Sequence, residues 1–119
     1  MIGSIVKVIV DRPLGTFHPK HKDIYYSVNY GYIPDVLGGD GEELDVFLVG
    51  VDKPVRSYTG RIIGIVYRAD DIEDKLVMAP FGKSFTAEEI AGAVYFQEKY
   101  YDTTIRALDG SSAHITSKK

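Results

Sequence analysis

The chain contains six short runs rich in β-branched and aromatic residues, most of them closed by a turn. These runs occupy residues 5–10, 24–28, 29–34, 46–51, 61–68 and 76–79. Runs of about four to eight residues with this composition, bounded by Gly, Pro, Asp or Asn, are typical of β-strands. A series of short strands joined by turns predicts a small barrel or sandwich.

One helix is well specified by the residues at its N-terminus. Thr86 is a good N-cap, and Glu89, three residues later, completes a capping box. Ile90 and Val94 then fall on a broad apolar face, whereas Glu98 falls on the other, polar face. The sequence therefore predicts a single helix that lies on the barrel.

The chain has 119 residues, which is the size of one domain. No linker divides it, so residues 1–119 are expected to form a single domain. Residues 108–119 are rich in Ser, Lys and Gly, and this composition suggests a poorly ordered tail. The chain contains no cysteine, which excludes both a disulfide framework and a thiolate metal site.

The charge balance excludes one class of partner. The chain has 14 Lys and Arg against 17 Asp and Glu, a net charge of −3. This is not the basic footprint of a nucleic-acid-binding protein. The apolar run at the start is too short for a signal peptide or a membrane span. We expect a cytoplasmic protein that binds neither nucleic acid nor membrane.

Two acidic segments lie at the ends of predicted strands. Residues 39–46 place four acidic side chains within six residues and lead directly into the apolar run VFLV. A second segment covers residues 70–75. Acidic turns are usually solvated, and Asp-Gly is a common turn signal; carboxylates this close also raise one another's pKa, and a divalent cation relieves that repulsion. If the two segments meet, they form one cavity lined by Asp40, Glu42, Asp45, Asp70, Glu73 and Asp74.

A cavity of this kind suits the hydrolysis of a phosphoanhydride. Mg²⁺ binds carboxylates, waters and substrate phosphates, and a bound divalent cation lowers the pKa of the attacking water. A carboxylate beside that water can act as general base. Lys and Arg can neutralise the charge on the leaving group, and Tyr hydroxyls can donate to phosphate oxygens.

Two motifs at a fixed distance resemble those of a known family. NYGYIP at residues 29–34 is followed by DGEELDV at residues 40–46. The pair is similar to the twin motif of the soluble, Mg²⁺-dependent inorganic pyrophosphatases of the OB-barrel type. Weaker similarity extends over residues 8–101. The resemblance implies a mainly β fold, a small OB-like five-stranded β-barrel with one C-terminal flanking α-helix.

The resemblance also implies a metal site. Asp40, Asp45 and Asp70 match metal-binding aspartates of the family. The loop before residue 75 is shorter than in the family, so either Glu73 or Asp74 would be the further ligand. Mg²⁺ is the cofactor that the resemblance implies.

Catalytic and substrate-binding roles follow from the same resemblance. Glu42 stands where the family has an aspartate that helps to activate the water, and its extra methylene displaces the carboxylate. Asp45 and Lys75 would complete the catalytic set. Lys75 would bind phosphate, and Tyr30 and Tyr100 would hydrogen-bond it.

The region before NYGYIP is shorter than in the family and can be matched in two ways. One alignment places Lys20 on a phosphate-binding lysine and leaves the phosphate-binding arginine without a counterpart. The other alignment makes Arg12 that arginine. The two imidazoles of His18 and His21 could bind metal or phosphate, but an HxxH pair more often lies in a solvated loop. Tyr101 replaces a helix lysine of the family.

The expected function is Mg²⁺-dependent hydrolysis of inorganic pyrophosphate to two phosphates by metal-activated water. The resemblance also implies a homo-oligomer. The short region before NYGYIP leaves open a larger phosphoanhydride, such as a nucleotide, as the substrate. The changes at Glu42 and Tyr101 leave open a catalytically inactive module that binds a metal or a phosphoanion.

Overall fold

The computed structural model describes residues 1–38, 41–69 and 74–117 of the chain. These residues form seven strands and one helix. In chain order the elements are β1 (Ile5–Arg12), β2 (Asn29–Leu37), β3 (Glu43–Leu48), β4 (Ser57–Arg68), β5 (Lys75–Ala79), α1 (Ala87–Glu98), β6 (Thr103–Ala107) and β7 (Ser112–Ile115).

Five of the strands close into a barrel. The sheet has the order β1-β2-β3-β5-β4-β6-β7, and β1 also pairs with β4. The strands β1, β2, β3, β5 and β4 therefore form a ring, from which β6 and β7 extend the sheet. All described pairings are antiparallel except that of β3 with β5, which is parallel. The predicted mainly β fold, with a five-stranded barrel and a flanking helix, is confirmed.

The apolar run at residues 46–49 is buried on both faces of the sheet. Val46 and Leu48 belong to a cluster that draws side chains from all five barrel strands and fills the interior. Phe47 and Val49 point to the other face, because side chains alternate along a strand, and they pack in a second cluster with Ile90 of α1. Burial on both faces explains why this strand shows no polar alternation.

The helix begins as predicted. The Thr86 side chain accepts a hydrogen bond from the Glu89 amide, and the Glu89 carboxylate accepts one from the Thr86 amide, so the capping box is confirmed. A Cβ atom at Gly64 would lie 3.0 Å from Cδ1 of Ile90, so the glycine lets α1 pack closely on β4. The prediction that Glu98 lies on the polar outer face is wrong, since its side chain is fully buried. No helix in the described residues is long and apolar enough to span a bilayer.

The two strands after the helix, β6 and β7, were not predicted from the sequence. Along β6, buried and exposed residues alternate, and β7 pairs with it in antiparallel register. β7 lies within residues 108–119, the segment whose composition suggested a poorly ordered tail. Ala113 and Ile115 are buried there and contribute to the cluster under α1. The predicted strand at residues 24–28 is wrong, because that segment forms only an isolated bridge between Phe17 and Tyr25.

The contact between β1 and β2 depends on two residues of the NYGYIP motif. A Cβ atom at Gly31 would lie 1.9 Å from the carbonyl oxygen of Ile9, so only glycine fits there. Asn29 is fully buried, and its side chain accepts from the Leu14 amide and donates to the Lys53 carbonyl. Asn29 thus links the β1–β2 loop to the β3–β4 loop.

Candidate active site

A cavity of about 470 Å³ opens at the end of the barrel where β3 and β5 begin. Its walls come from the barrel strands, the C-terminal end of α1 and the loop between β1 and β2. Small-molecule sites commonly have such a volume. Charged side chains of both signs line the cavity: Asp11, Arg12, Asp23, Asp45, Arg68 and Lys75.

Asp45 is held by two donors from neighbouring strands. Its Oδ2 atom accepts from the Tyr30 hydroxyl and from Nζ of Lys75, each at 2.9 Å. The ion pair follows from the topology, because β3 and β5 run parallel with Val46 opposite Leu76, which brings Asp45 and Lys75 to the same end. The Lys75 side chain is 7% exposed and that of Asp45 is 33% exposed. The carboxylate is therefore fixed while it still borders the cavity.

The Tyr30 hydroxyl is a permanent neutral donor. Burial raises its pKa well above the usual value, and the negative charge of Asp45 adds to that effect. Tyrosine in water has a pKa of roughly 10. Because the pKa of Tyr30 is higher still, its hydroxyl stays protonated at physiological pH. Tyr30 therefore keeps its proton and remains a hydrogen-bond donor to the carboxylate of Asp45.

Arg12 is fixed in the cavity wall from behind. Its Nη1 donates to the Tyr26 hydroxyl at 2.6 Å, and that hydroxyl donates to Oε1 of Gln97 at 2.8 Å. The guanidinium carbon also lies 5.7 Å from the ring centroids of both Tyr26 and Tyr30. Tyr26 is fully buried, so this chain of contacts ties the end of β1 to α1. A guanidinium held in this way presents its planar fork of donors to an anion.

A second arginine in the cavity is paired with a buried acid. Nε of Arg68 donates to Oε1 of Glu98 at 2.9 Å, and Nη2 donates to Oε2. Glu98 is fully buried, and Oε1 also accepts from the Thr103 hydroxyl at 3.0 Å. The Arg68 guanidinium carbon lies 3.8 Å from the ring centroid of Tyr101. The bidentate pair and the ring together hold Arg68 at the end of β4.

The carboxylates that the structure describes in the cavity suit a hard divalent cation, but they do not surround one. Asp11 and Asp45 line the same cavity, and the pKa of the Asp11 carboxyl is raised, mainly by burial and further by the charge of Asp45. A cation between two such carboxylates would relieve that repulsion, and carboxylate oxygens are the ligands that Mg²⁺ prefers. Among the described residues, no group of three or more acidic or imidazole side chains is disposed to hold a metal.

The structure brings five of the predicted site residues together in the cavity, and these are Arg12, Tyr30, Asp45, Lys75 and Tyr100. Three others are exposed and do not contribute to its lining, namely Lys20, Glu42 and Asp74. The remaining predicted metal ligands, Asp40, Asp70 and Glu73, lie outside the described residues. The roles of all eleven therefore stay predictions.

Several cavity residues were not predicted. Gln97 lies near the end of α1, and Tyr100 and Tyr101 follow it within four residues, a spacing that could have indicated a shared site. Arg68 lies two residues before the second acidic segment, which was a usable signal for a cation at that end of the barrel. His18 and His21, which were expected to be solvated, line the cavity.

A model of the inorganic pyrophosphatase family matches residues 3–101. An inorganic pyrophosphatase of Neisseria meningitidis serogroup B is 42% identical over 98 residues, which cover 66% of this chain and 55% of the relative. That of Haemophilus influenzae is 39% identical over 86 residues, covering 66% of this chain and 48% of the relative. The chain thus spans about half the length of these curated relatives.

Solved structures agree on the fold. The inorganic pyrophosphatase from Ehrlichia chaffeensis superposes with a TM-score of 0.69 at 18% identity, covering 92% of this chain and 89% of that structure. The enzyme from Neisseria gonorrhoeae gives a TM-score of 0.61 at 23% identity, covering 79% and 72%. At these identities the likeness concerns the backbone architecture alone.

Proposed function

Because the chain belongs to the inorganic pyrophosphatase family, we propose that its cavity binds inorganic pyrophosphate and hydrolyses it to two phosphate ions in an Mg²⁺-dependent reaction. One observation carries this proposal: Asp45 shares a carboxylate oxygen between Tyr30 and Lys75 in a cavity that also contains Arg12 and Arg68. Hydrolysis of a polyanion needs a carboxylate that can bind a metal ion. It also needs cationic side chains nearby that can offset the charge of the substrate.

The proposed metal ligands combine described and undescribed residues. Mg²⁺ bound at Asp45 would polarise phosphate oxygens and lower the pKa of a ligand water. Tyr30 and Lys75 hold Oδ2 of Asp45, which fixes the orientation of the carboxylate before any ligand binds. The full ligand set that we propose is Asp40, Asp45 and Asp70 with either Glu73 or Asp74.

The cations of the cavity would bind the substrate and assist the leaving group. Water attacks one phosphorus atom, the bond from that atom to the bridging oxygen breaks, and the bridging oxygen leaves as part of the second phosphate. Lys75, Arg12 and Tyr100 would hold the phosphoryl oxygens and offset the charge that develops on the leaving group. The proton of the attacking water would pass to a carboxylate, for which Glu42 stays the prediction.

A phosphate-release assay tests the proposal. The purified chain is incubated with pyrophosphate, a nucleoside diphosphate or a nucleoside triphosphate, each with Mg²⁺ and with Mg²⁺ removed by a chelator. We expect release from pyrophosphate only, and only with the metal present. Turnover of the nucleotides alone would identify a larger phosphoanhydride as the substrate. Calorimetric binding of Mg²⁺ and pyrophosphate without turnover would identify an inactive binding module.

The variant Asp45→Asn tests whether the cluster is the catalytic centre. The amide keeps the shape of the side chain but removes the charge that pairs with Lys75 and would bind the metal. We expect the rate to fall by more than about a hundredfold. The matched control is Asp52→Asn, the same change at an exposed carboxylate outside the cavity lining. Activity that survives in Asp45→Asn would remove this cluster from the mechanism.

Two further expectations from the sequence accompany the proposal. The cytoplasmic location is expected from the sequence and the homo-oligomeric state from the resemblance, and both stay predictions. Sedimentation or light scattering of the purified chain would measure the oligomeric state.

A further inference from the structure

The loop between β1 and β2 is folded back on itself and carries the two histidines of the cavity. The Gly15 amide donates to the Tyr26 carbonyl and the Tyr26 amide to the Thr16 carbonyl, each at 2.8 Å. Nearer the tip, the His18 amide donates to the Ile24 carbonyl at 2.9 Å. These hydrogen bonds join residues 15–18 to residues 24–26, and Tyr26 itself is buried. The loop therefore forms a fixed wall of the cavity.

The orientation of the His18 ring is fixed by this loop. Its Nδ1 atom accepts from the backbone amides of Lys20 at 3.0 Å and His21 at 3.1 Å. The ring also stacks beside Tyr26, with centroids 6.4 Å apart and planes 17° from parallel. Because Nδ1 is an acceptor for two amides, the neutral ring carries its proton on Nε2.

The ionisation of His18 agrees with that tautomer. Its pKa lies below the usual value for histidine, chiefly through desolvation, and the charge of Arg12 and the neighbouring His21 lower it further. The ring is therefore neutral at pH 7, with one N–H donor. Nδ1 is occupied inside the loop, so the ring edge available to a cavity ligand is Nε2. None of the residues that the structure describes accepts a hydrogen bond from this atom.

The loop is also joined to the segment that follows α1 and lines the cavity. The Tyr100 hydroxyl donates to Oδ2 of Asp23 at 3.3 Å. His18, His21, Asp23 and Tyr100 all line the cavity that contains Asp45. A phosphoanion held between Arg12 and Lys75 would thus be bordered by the loop as well as by the barrel.

We infer that His18 is a substrate-binding residue whose Nε2–H donates a hydrogen bond to a phosphoryl oxygen of a diphosphate in this cavity. The inference rests on the proposed function, since it takes a diphosphate as the ligand. The HxxH segment would then supply a neutral hydrogen-bond donor to the anion site. A neutral donor strengthens phosphate binding without competing with the bound cation for carboxylates.

Two substitutions separate this contact from the structural role of His18. In His18→Asn the side-chain oxygen sits where Nδ1 was and can accept from the same two amides, but nothing reaches the Nε2 position. In His18→Gln the side-chain amide reaches the Nε2 position and can donate, while the acceptor for the loop amides is lost. The matched control is His114→Asn on β7, an exposed residue that does not line the cavity.

Binding of imidodiphosphate, a diphosphate with a hydrolysis-resistant P–N–P bridge, is measured by calorimetry in the presence of Mg²⁺. We expect His18→Asn to bind about three- to tenfold more weakly than the unaltered chain, which is the loss of one neutral hydrogen bond. His18→Gln should bind more tightly than His18→Asn, and His114→Asn should match the unaltered chain. Thermal melting identifies any variant that is not folded.

Other outcomes would overturn the inference. Equal affinity of His18→Asn and the unaltered chain would show that His18 only supports the loop, as would weaker binding by His18→Gln than by His18→Asn. Absence of imidodiphosphate binding by the unaltered chain would overturn it as well. The expected order of affinities in a chain that hydrolyses no pyrophosphate would support the His18 contact and refute the proposed activity, so the two failures are distinguishable.

Discussion

The hydroxyl of Tyr30 donates a hydrogen bond to Oδ2 of Asp45 at 2.9 Å, across the antiparallel pair β2 and β3. The phenol keeps its proton because burial and the nearby carboxylate raise its pKa well above the usual value. We therefore expect Tyr30→Phe to lower kcat/KM for pyrophosphate by about three- to tenfold, the effect of one lost hydrogen bond. The loss should be the same throughout a range of roughly pH 6 to 9, where this hydroxyl does not titrate.

A pH–rate profile of the unaltered chain and Tyr30→Phe checks that prediction. The control is Tyr58→Phe, which removes a hydroxyl from a half-buried residue of β4 outside the cavity lining. A ratio between the two profiles that changes across the range would mean that Tyr30 acts by titrating.

The pair Arg12 and Lys20 decides between the two alignments of the region before NYGYIP. Arg12 lines the cavity and is fixed by Tyr26, whereas Lys20 is exposed and outside the lining. We expect Arg12→Lys to raise KM for pyrophosphate by about tenfold, because an ammonium cannot reproduce the planar fork of donors. Lys20→Ala should stay within about twofold, in line with the small effects of exposed charges.

Steady-state kinetics of both variants measures this difference directly. Lys20→Ala keeps the backbone amide that donates to His18, so the loop contact is unchanged. A larger effect at Lys20 than at Arg12 would favour the other alignment.

The buried ion pair should matter for stability. Glu98 is fully buried, and the Arg68 side chain is 8% exposed. We expect Glu98→Gln to lower the free energy of unfolding by about 3 kcal/mol, because it removes the charge of one partner in a buried, bidentate ion pair. Urea unfolding followed by circular dichroism gives the value. Glu88→Gln, on the exposed side of the same helix, is the control; a similar small loss in both variants would contradict the prediction.

The turn between β6 and β7 should show a pH-dependent contribution. Hydrogen bonds from the Ser111 side chain and then from its amide lower the pKa of the Asp109 carboxyl. A folded-state pKa below the unfolded one contributes stability above the unfolded value, and that contribution disappears as the pH falls through the folded value. Asp109→Asn should therefore lower the melting temperature slightly at neutral pH.

Melting curves over a pH series check the sign of that effect. The difference between Asp109→Asn and the unaltered chain should narrow below about pH 4, where aspartate becomes protonated in the unfolded chain. A difference that widens toward acid would mean that the turn is held by other contacts.

Local signals in the sequence were sufficient for most of the barrel and for the start of the helix. The run at residues 46–49 and the capping box at Thr86 and Glu89 each reflect interactions that are close in the chain. β6 was missed because the polar residue Thr103 occupies a buried position, which weakens the apolar alternation, and because its partner β4 is distant in sequence. Pairing with that partner is what makes the segment a strand.

The candidate site was predictable only where a motif carries it. Asp45, Lys75 and Tyr30 follow from the resemblance, and the structure brings all three together. Glu98 could not be predicted as buried, because a carboxylate enters the core only when its counter-charge is present, and Arg68 is 30 residues away. The position of His18 depends on hydrogen bonds of the loop backbone that no residue pattern specifies.

The three residues Asn29, Tyr30 and Gly31 have different roles. Asn29 accepts from the loop amides of Leu14 and Val55 and donates to a loop carbonyl, and Gly31 makes room for the carbonyl of Ile9, so both stabilise the fold. Of these three residues, it is Tyr30 that hydrogen-bonds the carboxylate of Asp45 in the cavity. A related protein could therefore lose catalytic activity and still keep the residues equivalent to Asn29 and Gly31, because the fold needs them. The presence of these two residues in a sequence indicates common ancestry and not catalytic activity.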